Sequence, residues 1–285
     1  MRKGISIQKK YFIILISIII LLLWFFYWQN NSIEVNYVNY QNVKIPKSFQ
    51  GFKILHVSDL HNKNFGKNQS KLIAKTKNCK PDIIVITGDL VDSHRLNIEV
   101  AMDYVKQAVT IAPVFYVTGN HERWSEVYAA IKDKLLQLGV TVLDNESITI
   151  KKGDDKISIV GMMDPNFMTT SERSTDNVDE TLSMLANNVT TDFSILLSHR
   201  PELISNYANK NFDIVFSGHA HGGQFRLPFI GGLYAPNQGF NPTYTSGLYR
   251  EQNTTMLVSR GLGNSVIPIR IFNRPELIVV TLTNE

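Results

Sequence analysis

The chain has 285 residues, of which 44% are hydrophobic and 19% charged, enough to bury a substantial core and too apolar for a disordered polypeptide. Its formal charge is +4, but Arg2, Lys3, Lys9 and Lys10 account for that excess and leave 25 basic and 25 acidic residues in the rest, so no nucleic-acid partner is expected. The single cysteine, Cys79, excludes an internal disulfide framework and is expected to be a buried, inert thiol within a helix.

Residues 1–10 form a basic tail. From 11 to 28 every residue except Ser17 is apolar or aromatic, and no charge follows until Glu34. A helix from 11 to between 28 and 33 would run roughly 27 to 35 Å at 1.5 Å per residue, so 11–30 is long enough for a transmembrane anchor. Cations precede this stretch and none follows it closely, which predicts a single-pass protein of the cell membrane with its N-terminus in the cytoplasm and the rest of the chain extracytoplasmic. Trp24, Tyr27 and Trp28 would sit in the outer interfacial belt. A cleaved signal peptide would have a shorter apolar core followed by small residues, whereas this one ends in Trp-Phe-Phe-Tyr-Trp.

Residues 31–50 read as a linker with a strand-like stretch at 33–45, and 51–285 as the main domain. Strands are predicted at 52–57, 82–87, 114–118, 157–161, 193–197, 213–217, 255–259 and 277–282, several of them near-continuous Ile/Val/Leu runs of the kind buried on both faces. Helical spacing occupies 68–78, 97–110, 125–138, stopped by Gly139, and 201–209. Early alternation of strand and helix points to α/β layering, and the closely spaced later strands to a second, mixed sheet. Residues 162–180 lack periodicity and are expected to be a loop near the rim of a site.

Five of the strand-like runs end in a small residue, with or without glycine, followed at once by a residue able to bind a metal. In order they are Ser58-Asp59-Leu60-His61, Thr87-Gly88-Asp89, Thr118-Gly119-Asn120-His121-Glu122, Ser198-His199-Arg200-Pro201 and Ser217-Gly218-His219-Ala220-His221. Any one alone is weak, since Gly-Asp after a strand is usually a turn and a lone histidine is usually structural. Together they place ligands where α/β folds gather them, at the carboxyl ends of strands. If the strands continue, Asp59 with His61 and His219 with His221 share a face through their i, i+2 spacing. Two Asp, one Asn and four His make an oxygen and nitrogen set suited to Mn, Fe or Zn, and the absence of thiolates argues against a structural zinc knot.

This set of motifs, complete and in order, resembles the calcineurin-like metallophosphoesterases, and within them the membrane-associated bacterial members. The similarity covers about 51–283 and extends to Gly-His-Ala-His-Gly-Gly-Gln at 218–224 and to the tail 259–263 and 270–276. It implies an α/β four-layer αββα sandwich, two mixed sheets flanked by helices. It further implies two metal ions, one bound by Asp59, His61 and His221 and the other by Asn120, His199 and His219, with Asp89 bridging. His121 would be the general acid, a role worth ~10²- to 10⁴-fold, with Asp59 its expected partner. The implied activity is metal-dependent hydrolysis of a phosphomonoester or phosphodiester, on a lipid- or cell-envelope-linked substrate given the anchor. A pyrophosphatase acting on a nucleotide-linked lipid of the UDP-diacylglucosamine type is the rival enzyme, and the predicted outward orientation counts against it. A non-catalytic metal-binding scaffold is the rival outside enzymes, and loss of His121 or a ligand, its usual mark, is not seen.

Arg123 and Arg200 follow motif positions and are candidates for substrate phosphate or for structural salt bridges alike. Glu122 is expected to orient ligands, His56 to be a core histidine and His94 a rim residue. Phe225, Phe229, Tyr234, Phe240, Tyr244 and Tyr249 form either an apolar wall beside the metals or core packing.

Overall fold

The computed structural model describes residues 7–168, 175–265 and 267–284. The apolar runs become strands β1 (Glu34–Gln41), β2 (Lys53–Val57), β3 (Ile83–Thr87), β4 (Val114–Val117), β5 (Thr141–Val142), β6 (Glu146–Lys152), β7 (Asp155–Gly161), β8 (Ser194–Leu197) and β9 (Ile214–Ser217). Four short strands follow, β10 (Arg226–Leu227) with β11 (Gly231–Gly232) and β12 (Tyr234–Ala235) with β13 (Gly239–Phe240), and then β14 (Gly247–Glu251), β15 (Thr254–Val258) and β16 (Glu276–Thr283). The helices are α1 (Ile7–Asn31), α2 (Ser70–Cys79), α3 (Ile98–Ala108), α4 (Asn120–Trp124), α5 (Tyr128–Gln137), α6 (Thr175–Asn187) and α7 (Ile204–Ala208).

Two six-stranded mixed sheets carry the domain, ordered β1-β16-β2-β3-β4-β5 and β14-β15-β9-β8-β7-β6. Strand alternation divides their side chains among three cores. Ile84 and Ile86 of β3 face out to Leu72, Val105 and Leu135 of α2, α3 and α5, while Ile83 and Val85 face in, toward Ile159, Ile195 and Phe216 of the second sheet. Val160, Leu196 and Val215 face the other way, onto Leu182 of α6 and Tyr207 of α7. The result is the expected αββα sandwich, in which each fully buried Leu, Ile or Val contributes about 1.5–3 kcal/mol.

The strand-like stretch at 33–45 contains β1, which pairs in parallel with β16 along its whole length, from Glu34↔Glu276 to Gln41↔Thr283. In the stretch expected to be a loop, Pro165–Phe167 forms a 3-10 turn and α6 begins at Thr175; residues 169–174 lie outside the described residues. The apolar positions that bury α6, Val178, Leu182 and Leu185, lie mostly beyond the end of that stretch, so its polar opening hid the helix. Helix α1 is long and apolar enough to cross a membrane, and its apolar window is unburied by the domain.

Candidate dinuclear metal centre

Strands β2, β3, β4, β8 and β9 end at one edge of the sandwich, and the loops leaving them bring together Asp59, His61, Asp89, Asn120, His199, His219 and His221, all buried. The strand alternation invoked for the paired motifs does not apply, because β2 stops at Val57 and β9 at Ser217. Instead, Asp59 (φ 51°), His61 (φ 46°), Asp89 (φ 52°), His219 (φ 64°) and His221 (φ 48°) are all left-handed. For non-glycine residues this costs about 1–3 kcal/mol each and persists only where the surroundings enforce it. Gly88 and Gly119 make the convergence possible: a Cβ on Gly88 would lie 2.4 Å from the Gly119 nitrogen, and one on Gly119 would lie 2.3 Å from Asp89 Oδ1.

Asp89 is central. Its Oδ2 lies 3.4 Å from His61 Nε2 and 3.2 Å from His199 Nε2. On one side His61 Nε2 and His221 Nε2 approach to 3.2 Å, with Asp59 Oδ1 3.4 Å from the latter. On the other, His219 Nδ1 lies 3.2 Å from His199 Nε2. Asp59, His61, Asp89 and His221 thus offer donor atoms within 4.8 Å of one another, and Asp89, His199 and His219 form a second such group.

These residues fit metal cations. Among the described residues Asp59 and Asp89 meet only imidazoles at ion-pair distance, never lysine or arginine, and Asn120 Oδ1 is buried without a hydrogen-bond partner. Two buried carboxylates need positive charge. Burial pushes both carboxyls up, yet the imidazoles, led by His221 for Asp59 and His199 for Asp89, hold them below the usual carboxylate range. In return His199, against its burial, is pushed up to about 10 by Asp89, while burial takes His221 down to about 3 despite Asp59. A third group, Asp92, His94 and His121, is less suited, because Asp92 already accepts the Arg95 guanidinium and the His94 side chain is 67% exposed.

Several of these residues are held from behind. Buried Glu122 accepts the N–H groups of Gly119 (2.7 Å), Asp89 (2.8 Å) and Leu90 (2.8 Å); burial and the Asp89 charge raise its carboxyl to about 7. His56 Nε2 lies 2.8 Å from Thr87 Oγ1, which donates to Ser58 Oγ (2.8 Å), which donates to Asp59 Oδ2 (2.6 Å). His199 Nδ1 donates to the Thr87 carbonyl at 2.6 Å. Arg200 is also buried, bidentate on Asp164 (2.6 and 3.0 Å) and within 3.1 Å of His219 Nε2, so it stands behind the ligands. Arg123, by contrast, is exposed on α4.

His121 is the second residue of α4, its backbone N–H donating to Asp89 Oδ1 at 2.9 Å. The Ser93 backbone N–H donates to its Nδ1 at 3.1 Å, which assigns the proton of the neutral ring to Nε2, 3.2 Å from Ser265 Oγ. Burial lowers the ring to about 4, consistent with that neutral form. Its ring partners are therefore Ser93 and Ser265 rather than the expected Asp59. Sequence reasoning missed Ser93, Asp164, Ser265 and also Asn237, whose Oδ1 lies 2.8 Å from His219 Nε2; all are loop residues without diagnostic spacing. The aromatic set divides: Tyr244 and Tyr249 pack on the third core, whereas Phe229 and Phe240 are exposed.

Residues 52–223 match the family model described as calcineurin-like phosphoesterase. The chain is 32% identical over 243 residues to the uncharacterized metallophosphoesterase YkuE of Bacillus subtilis (strain 168), covering 84% of this chain and 81% of that protein. It is 29% identical over 238 residues to the phosphodiesterase YaeI of Escherichia coli (strain K12), covering 81% and 82%. It is also 28% identical over 251 residues to a transmembrane protein with metallophosphoesterase domain from Danio rerio, covering 84% of this chain and 55% of that one. With the ligand cluster, the family implies divalent metal ions, and with the apolar α1, the transmembrane relative points to membrane association.

Proposed function

The chain belongs to the calcineurin-like phosphoesterase family and is a hydrolase acting on phosphoester bonds, and we propose that it cleaves a phosphomonoester or phosphodiester of a membrane- or envelope-linked substrate at a dinuclear centre outside the cell. The observation that carries the dinuclear reading is Asp89 Oδ2, shared between His61 Nε2 at 3.4 Å and His199 Nε2 at 3.2 Å. Asp59, His61 and His221 would hold one ion, Asn120, His199 and His219 the other, and Asp89 both. Bound there, Mn, Fe or Zn ions would supply Lewis-acid activation of water and of the phosphoryl oxygens.

The chain's own residues position and protonate. Glu122 and the Thr87–Ser58 hydrogen bonds keep Asp89 and Asp59 in their left-handed turns. His121 Nε2 is the atom from which a leaving alkoxide would be protonated, a step that starts from the imidazolium and returns the ring to its neutral form. Arg123, exposed and outside any ion pair among the described residues, would meet substrate phosphate. An outward catalytic domain is supported by the four cations before the apolar stretch that starts at Tyr11. A membrane-linked substrate is supported by a cavity of about 380 Å³ lined by His61, Lys63, Arg95 and Asn264, since Lys63 Nζ donates to the Asn30 carbonyl at the end of α1.

The test is hydrolysis of chromogenic phosphomonoesters and phosphodiesters by the full chain, stripped of metal and reloaded with Mn, Fe or Zn. Metal-dependent turnover that disappears in Asp89→Asn supports the proposal. Protein that binds ions and hydrolyses nothing across the panel counts against it.

A further inference from the structure

We infer that the face of the domain surrounding the C-terminal end of α1 is a bilayer-docking surface whose partner is an anionic lipid headgroup layer. This rests on the anchored reading of α1 and adds to it a second, peripheral contact made by the catalytic domain itself.

Three observations meet at this face. The first is charge. Although the globular part is neutral, 60–81 contains six lysines and no acidic residue. Lys67, Lys71, Lys75, Lys77 and Lys80 are exposed there, and none forms an ion pair among the described residues. A solvated helix in a neutral domain ordinarily mixes its signs; α2 does not.

The second is position. A mainly apolar cavity of about 460 Å³ separates α2 from the end of the anchor, lined by Trp24, Tyr27 and Trp28 on one side and Lys71, Ala74 and Lys75 on the other. Trp24 and Trp28 stack at 6.1 Å. Lys71 and Lys75 therefore stand at the level of the aromatic belt, where lipid phosphates lie.

The third is an apolar rim attached to the same helix. Phe272 packs on Phe25 of α1 at 5.6 Å, Arg274 lies over Trp28 at 4.6 Å, and Asn30 Oδ1 accepts the Arg270 N–H at 2.8 Å. Phe272 and Ile269 remain 50% and 44% exposed. The next segment continues the patch: Arg226 N–H donates to the Ile271 carbonyl at 3.0 Å, and the β10–β11 hairpin it begins carries a fully exposed Phe229 and a 64% exposed Ile230 at its tip. Single exposed apolar side chains are ordinary, but a series joined to a membrane-spanning helix is the mark of an interaction site. Lipid is the occupant favoured, because the patch continues the apolar surface of α1 and its neighbouring helix is uniformly cationic. Since that hairpin begins three residues after the end of the His221–Gly223 turn, docking would hold the metal cluster against the headgroup layer and select phosphate esters presented by the membrane.

The test uses the full chain in nanodiscs of phosphatidylcholine, with or without phosphatidylglycerol. Phe229→Cys, and separately the remote exposed position Lys151→Cys on β6 in the other sheet, is labelled with an environment-sensitive fluorophore; Cys79 is buried and leaves the introduced thiol as the reactive one. Spin-labelled lipid should quench the label at 229 and not at 151, in anionic discs and less so in neutral ones. Lys71→Gln and Lys75→Gln should each lower the docked-to-undocked ratio by about fivefold, as should high salt. A label at 229 that stays unquenched in chains retained by anionic discs overturns the docking surface while leaving the anchor intact. Equal quenching in neutral and anionic discs overturns the anionic partner. Chains not retained by the discs at all overturn the anchor, and this proposal with it.

Discussion

The two sheets contribute to the metal cluster unequally. The first, through the loops after β2, β3 and β4, provides every oxygen ligand candidate, Asp59, Asp89 and Asn120, together with His61 and His121, the proposed proton donor. The second, through the loops after β8 and β9, provides imidazoles alone, His199, His219 and His221. Their supports differ accordingly. On the first side Glu122 gathers backbone N–H groups of Gly119, Asp89 and Leu90, fixing the main chain so that the carboxylates are pre-positioned. On the second, side chains do the fixing, with Arg200 between Asp164 and His219 and Asn237 beside the same ring. The carboxylates are thus confined to one sheet while the other gives imidazoles alone, and Asp89, set against His61 and His199, couples the two halves, as Asp59 does against His221.

The largest effect should follow from removing that coupling. Asp89→Asn keeps the shape and loses the charge, so turnover is expected to fall to background and metal content to drop below that of the parent, read by elemental analysis alongside the chromogenic assay. His121→Ala tests the same side without touching a ligand: kcat should fall by ~10²- to 10⁴-fold with metal content unchanged. If metal content falls equally in both variants, His121 is part of the ligand scaffold rather than the proton donor. On the second side, Arg200→Gln leaves buried Asp164 without its cation and should cost about 3–5 kcal/mol of folding stability in denaturant titration. Glu122→Gln should instead act mainly on ligand placement, lowering metal affinity by about 10- to 100-fold. Similar stability losses from Arg200→Gln and Glu122→Gln would erase the distinction between main-chain and side-chain support.

The sequence made the ligand types legible because metal coordination demands particular side chains, and the apolar runs before them made their placement at strand ends legible too. What brings them together was not. The i, i+2 argument needed strand backbone at Asp59–His61 and His219–His221, whereas the chain uses left-handed turns, a choice set by the contact between Gly88 and Gly119 and by the hydrogen bonds behind Asp59. Nor could spacing reveal Arg200–Asp164 or Ser265 against His121, since these pairs join loops remote in sequence. β1 was legible as a strand-like stretch, but its pairing was not, for the same reason: its partner β16 lies at the far end of the chain. His56 was legible as a core histidine, but its place in the relay to Asp59 was not.

That relay supplies the smallest expected effect on turnover and the sharpest test of the first sheet's interior. Because Thr87 Oγ1 donates onward to Ser58, it must accept from His56, which places the His56 proton on Nε2 and leaves Nδ1 buried without a partner. Adding a second proton would put a charge in the core, and burial, opposed by Asp59, lowers the group from 6.5 to about 3. Between those values the unfolded chain binds a proton that the folded chain does not. The stability is therefore complete above the unfolded value and is lost as pH falls toward the folded one. His56→Gln keeps a donor for Thr87 without a titrating ring, so between pH 4 and 6 the dependence of stability on pH should become shallower by about one proton, ~1.4 kcal/mol per pH unit. Equal slopes for parent and variant would mean that the His56 ring charges in place, and that the interior behind Asp59 is wetter than its hydrogen bonds imply.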